Sequence, residues 1–278
     1  MPATEVSAFE KVNIARSKGR PLITDYIKEL FDDFVELKGD RLFREDPSIL
    51  GGIASFHGFP VTVIGHRKGR NTNENIKYNF GMTSPEGYRK AMRLMKEAER
   101  FRRPVITFID TPGAYPGMEA ESNGQANAIA ESMALMSTLR TPVMAVVTGE
   151  GSSGGALAIG VADRVYMLEN AVYSILSPEG FASIMWKDPS RAAEAASVMK
   201  LTAQDLYEYG LIDKIVPEKN LYRNLDRLLY TSMLKLKGFD VDELVSKRYR
   251  KFRHMDGIYK PVDMPQDHYE SDPETEQK

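Results

Sequence analysis

Two apolar runs in the sequence each lead into a glycine-rich turn, and these turns carry the clearest chemistry. Val105 to Ile109 precedes Asp110-Thr111-Pro112-Gly113-Ala114-Tyr115-Pro116-Gly117, and Val143 to Val147 precedes Gly149-Glu150-Gly151-Ser152-Ser153-Gly154-Gly155. A turn between a strand and a helix presents unpaired N–H groups and a partial positive charge. Glycine lets a ligand approach that main chain closely. If the two strands are neighbours, Gly113-Ala114 and Gly154-Gly155 could aim backbone amides at one developing oxyanion. Losing one such donor costs about 2.7–4 kcal/mol in a known protease. Either turn alone could equally be tight packing.

Gly149 to Gly154 also fits the dinucleotide pattern G-x-G-x-x-G, with Glu169 about twenty residues on. Its position mid-chain and the short helix ended by Asp163-Arg164 count against a crossover helix. A phosphate loop requires Lys and Ser/Thr where Gly155-Ala156 stand. Gly151-Ser152-Ser153-Gly154-Gly155 fits G-x-S-x-G, with Ser153 as nucleophile, but only His254 and His268 lie downstream to complete a triad. Val198-Met199-Lys200-Leu201 is similar to a biotin-attachment sequence, yet it follows an alanine-rich helical stretch instead of marking a hairpin tip. His66-Arg67-Lys68-Gly69-Arg70 is either a solvated turn or a contact for an anionic substrate or carrier.

The surrounding elements follow from periodicity. Ile27, Leu30, Phe31 and Phe34 predict a helix over 24–37. Gly52–Phe56 and Val61–Ile64 predict a hairpin joined by His57-Gly58-Phe59-Pro60. Ser84-Pro85-Glu86-Gly87 opens a long helix with serine as N-cap, and Ser177-Pro178-Glu179-Gly180 repeats that start. Between them, Ala126, Ile129, Ala130, Met133 and Met136 mark one helical face, and 156–161 a short apolar helix. Further strands are predicted at 165–168, 172–176 and 214–216, with helices elsewhere after Pro189. Continuous apolar strands alternating with helices imply the α/β class, with a sheet covered on both faces.

The 278 residues include no cysteine, which excludes disulfides, thiolate zinc sites and a cysteine nucleophile. No metal-ligand cluster stands out. A net charge of −2 gives no reason to expect nucleic-acid binding. With no signal sequence and no apolar run of membrane length, the expected setting is cytoplasmic. We read residues 1–262 as one domain and 263–278 as an acidic, disordered tail.

Several blocks, in order, resemble the carboxyltransferase α subunit of bacterial acetyl-CoA carboxylase. They are Gly51–Ala54, Gly65–Arg70, Asn79–Met82, Pro85–Ala91, Ile106–Gly117, Gly149–Gly160 and Ser177–Gly180. The resemblance implies a crotonase-like superhelix of ββα units with peripheral N- and C-terminal helices. It implies carboxyl transfer from carboxybiotin, presented by the biotin carboxyl carrier protein, to acetyl-CoA, giving malonyl-CoA for fatty-acid synthesis. The implied partners are a carboxyltransferase β subunit in an α2β2 assembly, the carrier protein and biotin carboxylase. The β subunit would hold the acetyl-CoA site and a four-cysteine zinc element. By matching positions, Gly154 and Gly155 belong to the biotin oxyanion site, with Gly113 and Ala114 as the facing wall. Gly151, Ser153, Tyr115, Pro178, Glu179 and Gly180 are the expected biotin-binding neighbours. This chain departs from many members in starting its core-like sequence near Val12.

Overall fold

The structure, a computed structural model, describes residues 6–255. The tail read at 263–278, the boundary at 262 and His268 lie outside them. Among the described residues, eight strands form one sheet: β1 (Asp32–Glu36), β2 (Ile49–Phe56), β3 (Phe59–His66), β4 (Val105–Thr111), β5 (Val143–Ser152), β6 (Arg164–Leu168), β7 (Val172–Ser174) and β8 (Lys214–Val216). The order is β1-β2-β3-β4-β5-β6-β8, with β7 pairing the far end of β5. The first three strands are antiparallel neighbours, while β3 through β8 run parallel. Both β4 and β5 are buried along their whole length, as a sheet covered on both faces requires.

Twelve α-helices surround the sheet among the described residues. The first six are α1 (Ala8–Ala15), α2 (Ile23–Leu30), α3 (Thr72–Lys77), α4 (Pro85–Arg100), α5 (Met118–Ser122) and α6 (Gln125–Thr138). The others are α7 (Ser153–Leu157), α8 (Pro178–Trp186), α9 (Ala192–Val198), α10 (Ala203–Glu208), α11 (Leu221–Lys237) and α12 (Val241–Arg253).

Several sequence expectations need correction. The helix expected over 24–37 stops at Leu30, and residues 32–36 form β1. Strand pairing overrides the helical spacing of Phe34. The absent side chain of Gly52 lets the Val35 carbonyl come against β2, where any β-carbon would collide. The hairpin connection is two residues, not four. His57 and Gly58 both have positive φ, 49° and 77°, and Phe56 pairs directly with Phe59. That backbone matches the twist of the flanking strands.

On α6 the buried face carries Gln125, Ala128, Ser132 and Met136, while Ala126 and Ala130 are exposed. Polar side chains take inward positions because carbonyl groups await them. Gln125 Nε2 donates to the Thr83 and Tyr115 carbonyls, and Ser132 Oγ to that of Ala158. Both proline-led starts do open helices. Ser177 Oγ caps α8 by accepting from Gly180 N at 3.1 Å. Ser84 makes no such bond, and its own N–H donates to Asp46 instead.

The last described helix, α12, is anchored by the buried side chain of Arg248 beside that of Leu244. Arg248 forms two bonds to Asp163, at 2.9 and 2.7 Å, and donates to the carbonyls of Met136, Leu139 and Thr141. Asp163 in turn accepts from Val143 N at the start of β5. Arg248→Met leaves that carboxylate buried without its cation, so we expect a loss of about 3–5 kcal/mol in urea unfolding. Adding Asp163→Asn should restore part of it, which separates the stranded charge from lost packing.

Candidate active site

The two glycine turns meet at the carboxyl ends of β4 and β5. These strands are parallel neighbours, with Thr111 opposite Gly151, so both turns begin at the same level. After β4, Thr111 Oγ1 accepts from Gly113 N at 3.1 Å and donates to the Gly113 carbonyl at 2.7 Å. Gly113 has φ of +142°, open to glycine and rare for other residues. Tyr115 is fixed by its backbone, through Tyr115 N to the Thr83 carbonyl and Gln125 Nε2 to the Tyr115 carbonyl.

The second turn is shorter than the sequence implies. Residues 149–152 are not loop but the end of β5, because Glu150, Gly151 and Ser152 pair with Val172, Tyr173 and Ser174 of β7. Gly151 is therefore buried inside a strand, where the Tyr173 ring occupies the place of a side chain. This corrects its expected position in a loop. The chain then reverses through Ser153, at φ 55°, into the five residues of α7. Ser153, Gly154 and Gly155 make up the first turn of α7, where N–H groups have no intrahelical acceptor. No Ser152 side-chain cap supplies one.

Gly155 packs directly on the other turn. A β-carbon there would lie 2.7 Å from the Ala114 nitrogen and 2.8 Å from the Gly113 carbonyl carbon. Gly154 faces outward instead, and its β-carbon would meet only Ile129 at 3.4 Å. The structure thus brings together Gly113, Ala114, Gly154 and Gly155. Pro178, Glu179 and Gly180 open α8, and Glu179 reaches the same region through Arg16. Arg16 donates to Glu150 and to Glu179, at 2.7 Å each. Burial raises the Glu179 pKa, but the bond from Arg16 prevails and holds it below the usual carboxylate range.

Side chains behind the turns were harder to foresee. Lys68 Nζ lies 2.7 Å from Asp110 and 3.5 Å from Glu150, and Asp110 also accepts from Glu150 N at 3.0 Å. Burial lowers the Lys68 pKa, yet the two carboxylates outweigh it and the net shift is upward. The run 66–70 is therefore only partly solvated, with Arg70 exposed and the rest buried or half-buried. Arg67 stacks on Tyr78 at 4.4 Å, Arg70 pairs with Asp25, and His66 is sealed in the interior. The run of cations hinted at burial only through its apolar lead-in from β3.

The other readings of the second turn lack support. The helix after the glycines spans five residues, too short for a dinucleotide crossover helix. No hydrogen bond joins Ser153 to a histidine among the described residues. His57 contacts Asp226 at 2.7 Å, and His254 contacts the Arg250 carbonyl. Met199 and Lys200 follow α9 in a tight turn leading to α10, not at a hairpin tip. Among the described residues, no group of three or more His, Cys, Asp or Glu side chains could hold a metal ion. No helix there is long and apolar enough to cross a membrane.

Burial, reinforced by nearby Lys68, pushes His66 down to about 3, with the Gly155 and Phe108 backbones opposing weakly. A folded-state pKa below the unfolded value of about 6.5 gives stability that is complete above that value. It is lost as pH falls towards 3. We expect His66→Asn to flatten the decline in urea-unfolding free energy between pH 6.5 and 4. An unchanged slope would show that His66 does not set this dependence.

Residues 3–256 match the family described as acetyl co-enzyme A carboxylase carboxyltransferase-like. The acetyl-coenzyme A carboxylase carboxyl transferase subunit alpha of Clostridium acetobutylicum is 55% identical over 260 residues, covering 90% of this chain and 95% of that protein. The Shouchella clausii subunit alpha is 54% identical over 253 residues, covering 88% and 78%. Among solved structures, the transcarboxylase 12S hexamer core aligns with a TM-score of 0.68 at 18% identity. That match covers 86% of this chain, which spans about half (47%) of the transcarboxylase chain. A Pseudomonas malonate decarboxylase hetero-tetramer chain gives 0.60 at 19% identity, covering 76% of this chain and 91% of that one. The mixed sheet flanked by helices is the crotonase-like carboxyltransferase fold, and the chain belongs to the acetyl-coenzyme A carboxylase carboxyltransferase family.

Proposed function

We propose that this chain is the α half of a biotin-dependent carboxyltransferase, moving a carboxyl group from carboxybiotin to acetyl-CoA to give malonyl-CoA for fatty-acid synthesis. The observation that carries the site assignment is the packing of Gly155 on Gly113-Ala114 at the ends of two adjacent parallel strands. It supports a backbone site for negative charge, with the amides of Gly154 and Gly155 as donors and Gly113-Ala114 as the facing wall. Carboxybiotin on its carrier supplies the activated carboxyl group. The chain's own contribution is to hold the amides rigid and to leave the outward face of Gly154 open to a ligand. Rigidity matters because preorganised donors need no rearrangement as charge develops. Tyr115, Ser153 and the Pro178-Glu179-Gly180 start are assigned to the biotin contact, while Gly151 serves as a residue within β5.

Partners follow from the surface as well as the family. Met118, Leu157, Ile175, Ile184 and Met185 are exposed apolar side chains on α5, α7, α8 and the end of β7. Leu157 and Ile175 also line an apolar cleft of about 440 Å³, together with Tyr173, Phe181, Met199 and Phe252. Exposed apolar surface of this kind marks association faces. We assign it to the carboxyltransferase β subunit of an α2β2 assembly, which would bring the acetyl-CoA site and the zinc element. The biotin carboxyl carrier protein and biotin carboxylase complete the system, which we assign to the cytoplasm.

Mixing the chain with a β subunit, biotinylated carrier, biotin carboxylase, ATP, bicarbonate and acetyl-CoA should yield malonyl-CoA; a correctly assembled but inactive complex, with the carrier shown to be carboxylated, would refute the reading. Gly154→Val adds bulk in front of the amides without striking backbone. We expect it to assemble normally and lose about 100-fold in transfer rate, the scale of one oxyanion donor. Ile175→Asp should weaken co-elution with the β subunit in gel filtration while leaving the thermal unfolding of the lone chain unchanged.

A further inference from the structure

The basic run after β3 and the connection between α1 and α2 enclose a cavity of about 290 Å³. It lies beyond the carboxyl end of β3 and beside Asp110 near the end of β4, the edge where open parallel sheets gather ligands. Five cationic side chains line it, Arg16, Lys18, Arg20, Lys68 and Arg70, against one carboxylate, Asp110.

Three of these cations are braced from outside the cavity, while Lys68 is held by Asp110 within it and by Glu150 behind it. Arg16 is held by Glu150 and Glu179, Arg20 by Glu218 and the Thr148 carbonyl, and Arg70 by Asp25. None of those four carboxylates lines the cavity. Bracing therefore orders the three arginines without placing their carboxylate partners in the space in front of them. A guanidinium carries five N–H donors, and the side chain of Arg70 bonds Asp25 through Nη2 alone. Its Nε and Nη1 stay available. Lys18 has no hydrogen-bond or ion-pair partner among the described residues.

We propose that this cavity binds the phosphate or diphosphate group of a small phosphorylated ligand. Fixed guanidinium and ammonium groups favour phosphate oxygens through charge-assisted bonds. The volume is at the lower end for small-ligand sites, about 300 Å³, and suits a phosphorylated group better than a macromolecule. The group could belong to the nucleotide end of coenzyme A or to a separate phosphorylated effector.

Titration of the full chain with inorganic pyrophosphate, followed by calorimetry, tests the site without any turnover, so it stands or falls apart from the carboxyl-transfer reading. We expect saturable binding that weakens with salt and drops at least ~10-fold in Lys18→Glu and Arg70→Gln. Lys18 is exposed and unpartnered, so its variant should unfold like the parent. No saturable binding up to millimolar pyrophosphate, or binding unchanged in both variants, overturns the proposal. In the assembled enzyme, a raised KM for acetyl-CoA at unchanged kcat in Lys18→Glu identifies coenzyme A as the source. An unchanged KM, with pyrophosphate binding lost, identifies a separate effector.

Discussion

The Asp110 carboxylate is the point on which this end of the molecule depends. It sits on β4, accepts from Lys68 beyond β3 and accepts from the Glu150 amide on β5. Gly149 has no side chain because that carboxylate fills the space where one would be. Three adjacent strand ends are thus joined through a single charged group. Breaking a buried pair of this kind by removing one partner is costly, because the remaining charge stays out of water. The network extends through Glu150 to Arg16 and on to Glu179, so α1 and α8 are tied to the same centre.

On the proposed reading, that brace is what would let backbone groups serve as the chemical machinery. Amides useful for stabilising charge must not shift when charge appears. The first turn of α7 would be a poor platform by itself, since five residues make a weak helix. Here it is pressed against the Gly113-Ala114 turn on one side and follows directly from a fully buried strand on the other. Rigidity comes from the sheet, not from the helix.

Much of this was legible in the sequence, and the misses have physical causes. The buried strands at 105–109 and 143–147 declared themselves as continuous apolar runs. The two turns declared themselves by glycine, and the sequence alone could say they would meet only if the strands were neighbours. The end of β5 was misread as loop because Gly149 and Gly151 look like turn residues, while their real task is to admit Asp110 and Tyr173. Phe34 fitted a helical stripe but belongs to an edge strand, a case of tertiary pairing overriding local spacing. Lys68 and Arg16 were unreadable as bracing groups, because their carboxylate partners are 42 and 82 residues away for Lys68, and 134 and 163 for Arg16.

The two adjacent glycines of α7 differ in what their identity can tell a reader of related sequences. Gly155 abuts backbone, so any chain keeping this contact must retain glycine there, whatever it catalyses or even if it catalyses nothing. Gly154 has room for a methyl group, and the fold alone does not demand glycine at that place. Invariance at 155 is a signature of architecture. At 154 the fold leaves the choice open, so on the proposed reading a retained glycine there carries information about a ligand instead of about packing.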